Sequence, residues 1–455
     1  MPTHFKQHLI ALLIGASVSS ALWAEETVEP NSTMAPTFGF SGALQLAKQN
    51  DPELKYAYHN FKAEQEVDDI SRANLLPNVS FTSTYRYSDN DDSDTRRELS
   101  KEQQKDYSFQ LNAQQSLINV SAWKAYSSSK ESVRQSSFAY TRAEQELIYR
   151  VSEAYLKTLQ AAQRVYITQE KLESLQLKLD QTERMNELGV GDRLNALSAR
   201  SSRDVAKSDL LQAKSKLDDA QTGLENITGQ PIELPENWVK NSHLVQPNLI
   251  TGEQQEWLKR VSDNAQVLAE QSNVRAKELE AQASSARHLP TLNFSLSYLD
   301  QYSDNPTDVN TRYVAALNLE VPIYSGGKAS AQARQAEASY NAAQVRYRKT
   351  LSDKQQSIKL AYSQLGSFHE RLEAIEESRK SSQAYLDAAE RQADLSLGSQ
   401  VDVLEARTNL YDVRLEFAKT LMDYVLADLN LLLETGQLND TTVARFDKIF
   451  DANTL

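Results

Sequence analysis

The chain has 455 residues, 24% of them charged, a formal net charge of −13 and no cysteine. The lack of cysteine excludes disulfides, thiol catalysis, zinc–thiolate sites and an N-terminal lipid on cysteine. The acidic balance argues against nucleic acid as a partner. Long stretches of Ala, Gln, Ser, Leu, Glu and Lys have the composition of long helices packed through narrow seams.

Residues 1–24 read as a cleaved secretory signal: Lys6, an apolar core over 9–18, and Ala21-Leu22-Trp23-Ala24 before Glu25-Glu26. The apolar core is too short to span a bilayer, and no other stretch reaches the ~20 apolar residues a spanning helix needs. Loss of Lys6 with the signal takes the mature charge from −13 to −14. An N-terminal segment over 25–40 follows.

A first repeat is expected over 41–230. Residues 43–74 predict a helix of about 32 residues, with a kink at Asn50-Asp51-Pro52, because proline removes a helical donor. At Leu76-Pro77 the period changes to two. Val79, Phe81, Ser83, Tyr85 and Tyr87 share one face, and Ser80, Thr82, Thr84 and Arg86 the other. After a polar loop the alternation resumes. Tyr107, Phe109, Leu111 and Ala113 oppose Ser108, Gln110, Asn112 and Gln114. Each segment is close to the ~9–11 residues that cross a bilayer as a tilted strand. A helical pattern then runs over 120–188, roughly 100 Å at 1.5 Å per residue. Its apolar positions Ile148, Val151, Tyr155, Ala162, Val165, Leu172 and Leu179 predict a coiled-coil seam. Gly189-Val190-Gly191-Asp192 breaks it, and a helix over 193–228 returns to a Gly229 cap. The two shorter helices together match the long one, so they are expected to stack end to end beside it.

Residues 231–252, rich in proline and aperiodic, form a linker. A second repeat over 253–437 follows the same plan: helix over 253–286, alternation at Leu292, Phe294, Leu296 and Tyr298, and a return strand with Tyr313, Ala315, Leu317, Leu319 and Val321. A corner at Pro322-Ile323-Tyr324-Ser325-Gly326-Gly327, a long helix to about 397, a turn at Gly398-Ser399 and a last helix complete it. The tail over 438–455 is polar. The repetition is visible in the letters. LPNVSFTSTY at 76–85 returns as LPTLNFSLSY at 289–298, an offset of 213. LNALSAR at 194–200 returns as VDVLEAR at 401–407, and TGQ at 228–230 returns at 435–437, both offset by 207. The stretch between is 6 residues shorter in the second copy. Such tandem repetition points to a pseudosymmetric assembly.

Four candidate membrane strands per chain cannot close alone, because each unpaired backbone group costs several kcal/mol in hydrocarbon. The smallest closed membrane barrels use eight strands, and eight leave an interior that side chains fill. A dimer supplies eight and a trimer twelve; the polar strand faces suit a wetted lumen and favour the trimer. Tyr85, Tyr87, Tyr107, Tyr298, Tyr302 and Tyr313 cluster near the strand ends, as an interfacial aromatic belt would. A second reading stays open on these residues alone: a soluble periplasmic coiled-coil protein, structural or adaptor-like, with a small sheet.

LPNVSFTSTY, LPTLNFSLSY, VPIYSGG at 321–327 and VDVLEARTNLYDVRLEFA at 401–418, in this repeat, make the chain resemble the TolC-type outer-membrane efflux and secretion channels over its whole mature length. The resemblance implies an α+β membrane protein. Its homotrimer would build a twelve-stranded outer-membrane β-barrel and a periplasmic α-helical tunnel that docks a periplasmic adaptor and an inner-membrane transporter, serving drug efflux or type I secretion. Lack of cysteine matches the unlipidated branch. The resemblance places the periplasmic gate at Asp402 and Glu405, with Glu at the second position in place of the more familiar Asp. Residues three apart share a helix face, so three chains would ring six carboxylates, which repel one another and oppose closure unless protonated, screened or cation-bound. An exposed helix start, where acids favour the dipole, is the alternative. Asn195 and Ser198 are the first-repeat counterparts. The basic and aromatic residues that hold the family's closed state fall on Gly398 and Ala393, a departure from the pattern. Leu188-Gly189-Val190 and Leu395-Ser396-Leu397 correspond to the adaptor-contacting tips, with Ser396 where Gly is usual. Gly189 reads equally as a helix stop.

No enzymatic signature is present: no P-loop, Rossmann fingerprint, G-x-S-x-G or H-E-x-x-H. No cofactor or metal is expected. Asp89-Asn90-Asp91-Asp92-Ser93-Asp94 lacks the EF-hand glycine and terminal glutamate and reads as a solvated loop.

Overall fold

The computed structural model describes residues 39–90, 102–234, 239, 252–303, 310–395 and 397–442. The expected signal, the acids at 91, 92 and 94, Ser396 and most of the expected linker lie outside them. No helix among the described residues is long and apolar enough to cross a membrane.

Helix α1 (Phe40–Asn50) ends where Pro52 cannot donate, and α2 (Pro52–Ala73) starts there, with Pro52 at its first position. Asp51 caps α2 by accepting from Leu54 N–H at 2.7 Å, and Arg150 reaches the same carboxylate at 3.2 Å. The expected kink is thus a full break between two helices. Strands β1 (Asn78–Asn90) and β2 (Glu102–Ile118) follow, then α3 (Val120–Glu187) and α4 (Arg193–Thr228). In the second repeat the expected helix over 253–286 is also two: α5 (Gln254–Lys259), a 3-10 turn (Arg260–Asp263), then α6 (Ala265–Ser285). Asn264 makes this break. Its side chain accepts from Gln266 and Val267 N–H at 2.9 and 3.3 Å, the place Asp51 fills in repeat one. Strands β3 (Thr291–Ser303) and β4 (Asn310–Glu320) lead to α7 (Lys328–Asp394) and α8 (Gln400–Glu434).

Each long helix carries two shorter ones along its length. On α3, Ser129 donates to Asp68 of α2 at 2.8 Å, and Thr158 donates to the Ala220 carbonyl of α4 at 3.2 Å. The junction between the shorter helices is tied by side chains. Asn50 donates to Thr228 O at 2.7 Å; in repeat two Asn264 donates to Glu434 O at 2.9 Å. The repeats join along α3, where Ser121 and Ser128 bond to carbonyls of α6 at 2.8 Å and Glu170 pairs with Arg414 of α8 at 2.8 Å.

The main core lies at these junctions. Phe40, Leu147, Val151, Tyr155, Leu224, Ile358 and Leu431 are all nearly inaccessible there. Beyond it the apolar contact narrows to two seams: Leu175, Leu179, Ala199, Ala206 and Leu404; and Leu386, Ala389, Val403, Ala406 and Leu410. The α3 seam departs from the expected one. Ala162, Val165 and Leu172 are half-buried, while Leu159, Ile167 and Leu175 are buried instead. A straight helix at 3.6 residues per turn drifts off a strict 3.5 repeat.

The sheet order is β1-β2-β3-β4, all neighbours antiparallel. The register matches like faces: Phe81 opposes Leu111, Tyr85 opposes Tyr107, Leu111 opposes Tyr298, and Tyr298 opposes Tyr313. Among the described residues β1 and β4 each keep one unpaired edge.

Candidate functional site

Two regions concentrate the residues singled out by sequence: the strand faces and the helical turns. On the sheet, Tyr85 and Tyr107 rings lie 5.0 Å apart and Tyr298 and Tyr313 rings 4.8 Å apart. Tyr302 sits across from Tyr107, while Tyr87 faces Lys105. The six tyrosines therefore share one sheet face, with Val79, Phe81, Leu296, Leu317 and Leu319 exposed on it. The opposite face presents Ser80, Thr82, Thr84, Asn112, Gln114 and Arg312.

At the first turn α3 ends in a left-handed cap. Gly189 has φ 78°, and Val190 N–H returns to Met185 O at 3.0 Å. Gly191 is equally constrained, since a Cβ there would lie 2.7 Å from Asn186 N and 2.8 Å from Met185 C. At the second turn the N–H groups of Leu397 and Gly398 both reach Gln392 O, at 2.9 and 3.1 Å. A Cβ on Gly398 would sit 3.1 Å from Gln392 Cβ. Ala393 packs against the second seam. Neither Gly398 nor Ala393 carries a basic or aromatic side chain. Both turns present bare apolar side chains: Leu188 is 78% exposed, Val190 72%, Leu395 70% and Leu397 79%.

The acids follow the second turn at once. Ser399 accepts from Val401 N–H at 3.0 Å, and Asp402 accepts from Ser399 N–H at 3.2 Å, a capping box. Asp402 thus stands in the first turn of α8 with its carboxylate exposed. Val403, Leu404 and Ala406 are buried, so Asp402 and Glu405 share the open face of α8. Farther along that face Asp412 meets Lys171 at 3.4 Å and Glu416 meets Arg371, whereas Asp402 and Glu405 have no cation partner among the described residues. In repeat one Asn195 and Ser198 are half-buried. The acid of that turn is Asp192, which caps α4 by accepting from Leu194 N–H at 3.0 Å.

The model of the family described as "Outer membrane efflux protein" matches residues 43–230 and 260–437. The chain belongs to the outer membrane efflux protein family. It is 26% identical over 449 residues to "Outer membrane protein TolC" of Vibrio cholerae, covering 96% of this chain and 97% of that one. It is also 26% identical over 430 residues to "Proteases secretion protein PrtF" of Dickeya chrysanthemi, covering 89% and 90%. Among solved structures, the Campylobacter jejuni CmeC outer membrane channel has a TM-score of 0.73 at 17% identity, covering 91% of this chain and 90% of that one. The open-state Neisseria gonorrhoeae MtrE outer membrane channel has 0.74 at 18%, covering 88% and 90%. These place the chain among outer-membrane exit channels for efflux or type I secretion, in the outer membrane and reaching through the periplasm. The outer-membrane location replaces the soluble periplasmic reading.

Sequence reading missed three features of this efflux-family turn region. Asp192 was passed over as part of a turn. Arg200 on α4 pairs with Glu183 on α3 at 2.6 Å, and Arg407 on α8 pairs with Glu390 on α7. Lys178 on α3 lies beside Arg407; burial, then the Arg407 charge, lowers its pKa, while Asp394 and Glu390 oppose the shift. The 207-residue offset carries Glu183 and Arg200 onto Glu390 and Arg407, so the paired staples were available from the letters.

Proposed function

We propose that three copies close a twelve-stranded barrel through their β1 and β4 edges, that the helices of the three copies surround a periplasmic tunnel, and that Asp402 and Glu405 ring its constriction. The observation that carries this is a four-stranded sheet with an aromatic face, a polar face and two open edges, set on long helical hairpins. An open edge is untenable in hydrocarbon, and pairing β4 with the β1 of another copy removes it. The polar face then lines a wet lumen and the tyrosines meet the lipid interface. The acids support the constriction reading because they lie together on the open face of α8 with no cation partner among the described residues. The exposed Leu188, Gly189, Val190, Leu395 and Leu397 fit a docking surface for a periplasmic adaptor that couples the channel to an inner-membrane transporter. No residue of the passage is assigned a chemical step. Cargo is set by the partner transporter, and the relatives named for efflux and for protease secretion fit either class.

The test is block by a trivalent cation in the Asp402→Asn, Glu405→Gln double variant, compared with the unaltered trimer in a planar bilayer. Block weakened by about tenfold or more, the scale of two lost charge contacts per chain, is expected. Unchanged block places the constriction elsewhere.

A further inference from the structure

The two hairpins carry the same staple but use it differently. Arg200–Glu183 and Arg407–Glu390 each join residues 17 apart across a turn, and the repeat offset of 207 superposes one pair on the other. Each staple ties the return helix of its hairpin to the long helix and so holds the register near the turn. Arg200 has an exposed side chain and no second partner among the described residues. Arg407 is largely shielded, and while one terminal nitrogen holds Glu390 of α7, the other donates to the Ser174 hydroxyl of α3. A planar guanidinium can serve two fixed acceptors at once. Arg407 thus ties its own helix to both α7 and the first repeat.

The surroundings explain why one residue carries weight here. Each hairpin is held internally by an apolar seam. Near the turns, contact between α3 and α8 is mostly polar: Tyr411 hydrogen-bonds Ser174, Arg414 pairs with Glu170 at 2.8 Å, and Lys171 with Asp412 at 3.4 Å. Leu404 is the α8 side chain that joins the repeat-one seam. Arg407 is the rung nearest the turn, two residues after Glu405. Its neighbour Lys178 adds a second cation to a site with Glu390 and Asp394.

We propose that Arg407 is the positioning residue for the acid-bearing turn of α8: by bridging Glu390 and Ser174 it fixes where Asp402 and Glu405 stand relative to the first repeat. Its consequence for the width of the passage rests on the constriction reading above. Repeat one, with an equivalent staple and no bridge, supplies the internal control.

The experiment compares Arg407→Gln, Arg200→Gln and Ser174→Ala in the full-length trimer. It measures amide hydrogen exchange over 400–410 and 193–203, and basal conductance in a bilayer. Ser174→Ala keeps both staples and removes the bridge together with the Tyr411 bond to the same hydroxyl, so it remains informative if Arg407→Gln fails to assemble. Arg407→Gln is expected to speed exchange over 400–410 by roughly tenfold, the size of a lost charge-assisted hydrogen bond, and to raise basal conductance. Ser174→Ala should shift both readouts the same way by less. Arg200→Gln should affect 193–203 alone. Faster exchange over 400–410 without a conductance change supports the positioning role and removes the constriction from this turn. Wild-type exchange in both Arg407→Gln and Ser174→Ala, or an equal effect of Arg200→Gln on 400–410, overturns the proposal.

Discussion

Gly229 and Gly436 close equivalent helix ends in the two repeats, yet an alanine at each is expected to cost very different amounts. Both glycines are left-handed, with φ 74° and 72°, so either alanine carries a backbone cost of about 1–2 kcal/mol. At 229 the atoms nearest the new Cβ all belong to the Asn50 side chain, at 3.0 to 3.1 Å. The Asn50 amide can rotate away, at the expense of its 2.7 Å bond to Thr228 O, a net loss of about 1 kcal/mol, and the Asn50 Cβ needs to yield by only a few tenths of an ångström. At 436 the Cβ would lie 2.3 Å from the Asp263 carbonyl oxygen and 2.8 Å from its carbon. Ordinary contact requires that backbone to retreat by about 1 Å. The next residue, Asn264, is wholly buried, caps α6 and donates to Glu434 O at 2.9 Å. Retreat releases the cap, about 1 kcal/mol, and leaves a buried amide unsatisfied, about 1–3 kcal/mol. Gly436→Ala should therefore cost roughly 3–6 kcal/mol against roughly 2–3 for Gly229→Ala. The assay is the guanidinium midpoint and folded yield of each variant in detergent, read relative to wild type, because a protein of this size need not unfold in two states. Equal shifts, or a larger one at 229, refute the close approach of the α8 end to the 3-10 turn.

Other outcomes follow from the same geometry. Glu434 sits between Arg142 at 3.3 Å and Lys354 at 2.9 Å, all three largely buried. Glu434→Gln should cost about 3–5 kcal/mol by stranding the cations, with the loss reduced when Lys354→Met is added; no recovery in the double variant sinks the pairing. The lowered pKa of Lys178 means that the folded chain binds this proton less tightly than the unfolded chain. Stability from this group therefore rises as pH climbs from the depressed value towards the ordinary lysine range. Lys178→Met should remove that slope in alkaline melts without lowering stability at neutral pH. Leu188→Ser with Leu397→Ser should leave the melting midpoint unchanged and abolish export in cells; export at wild-type level removes the tips from adaptor docking.

Much of this fold was legible because period encodes it. The alternation at Val79–Phe81 and Leu292–Phe294 fixed both the strands and their faces, and the register pairs those faces. The break at Asp51-Pro52 carried a proline signal, whereas the break at Asn264 carried none beyond its 213-residue offset from Asp51. The seam on α3 was misplaced at Ala162, Val165 and Leu172 because a short heptad read from its start does not include helical drift. Asp402 and Glu405 could be named from sequence, but their setting could not. The capping box needs the turn geometry, and the lack of a cation beside them is visible only once Lys171 and Arg371 are seen to serve Asp412 and Glu416. The Arg407 bridge to Ser174 joins residues 233 apart, beyond any local pattern.

The most direct measurement is the single-channel conductance of the purified mature protein in a planar bilayer, with a trivalent cation added on the side of the helical turns. The account predicts a cation-preferring pore that blocks reversibly from that side. A folded, helical, trimeric protein that forms no pore, or one that prefers anions and ignores the trivalent cation, contradicts it.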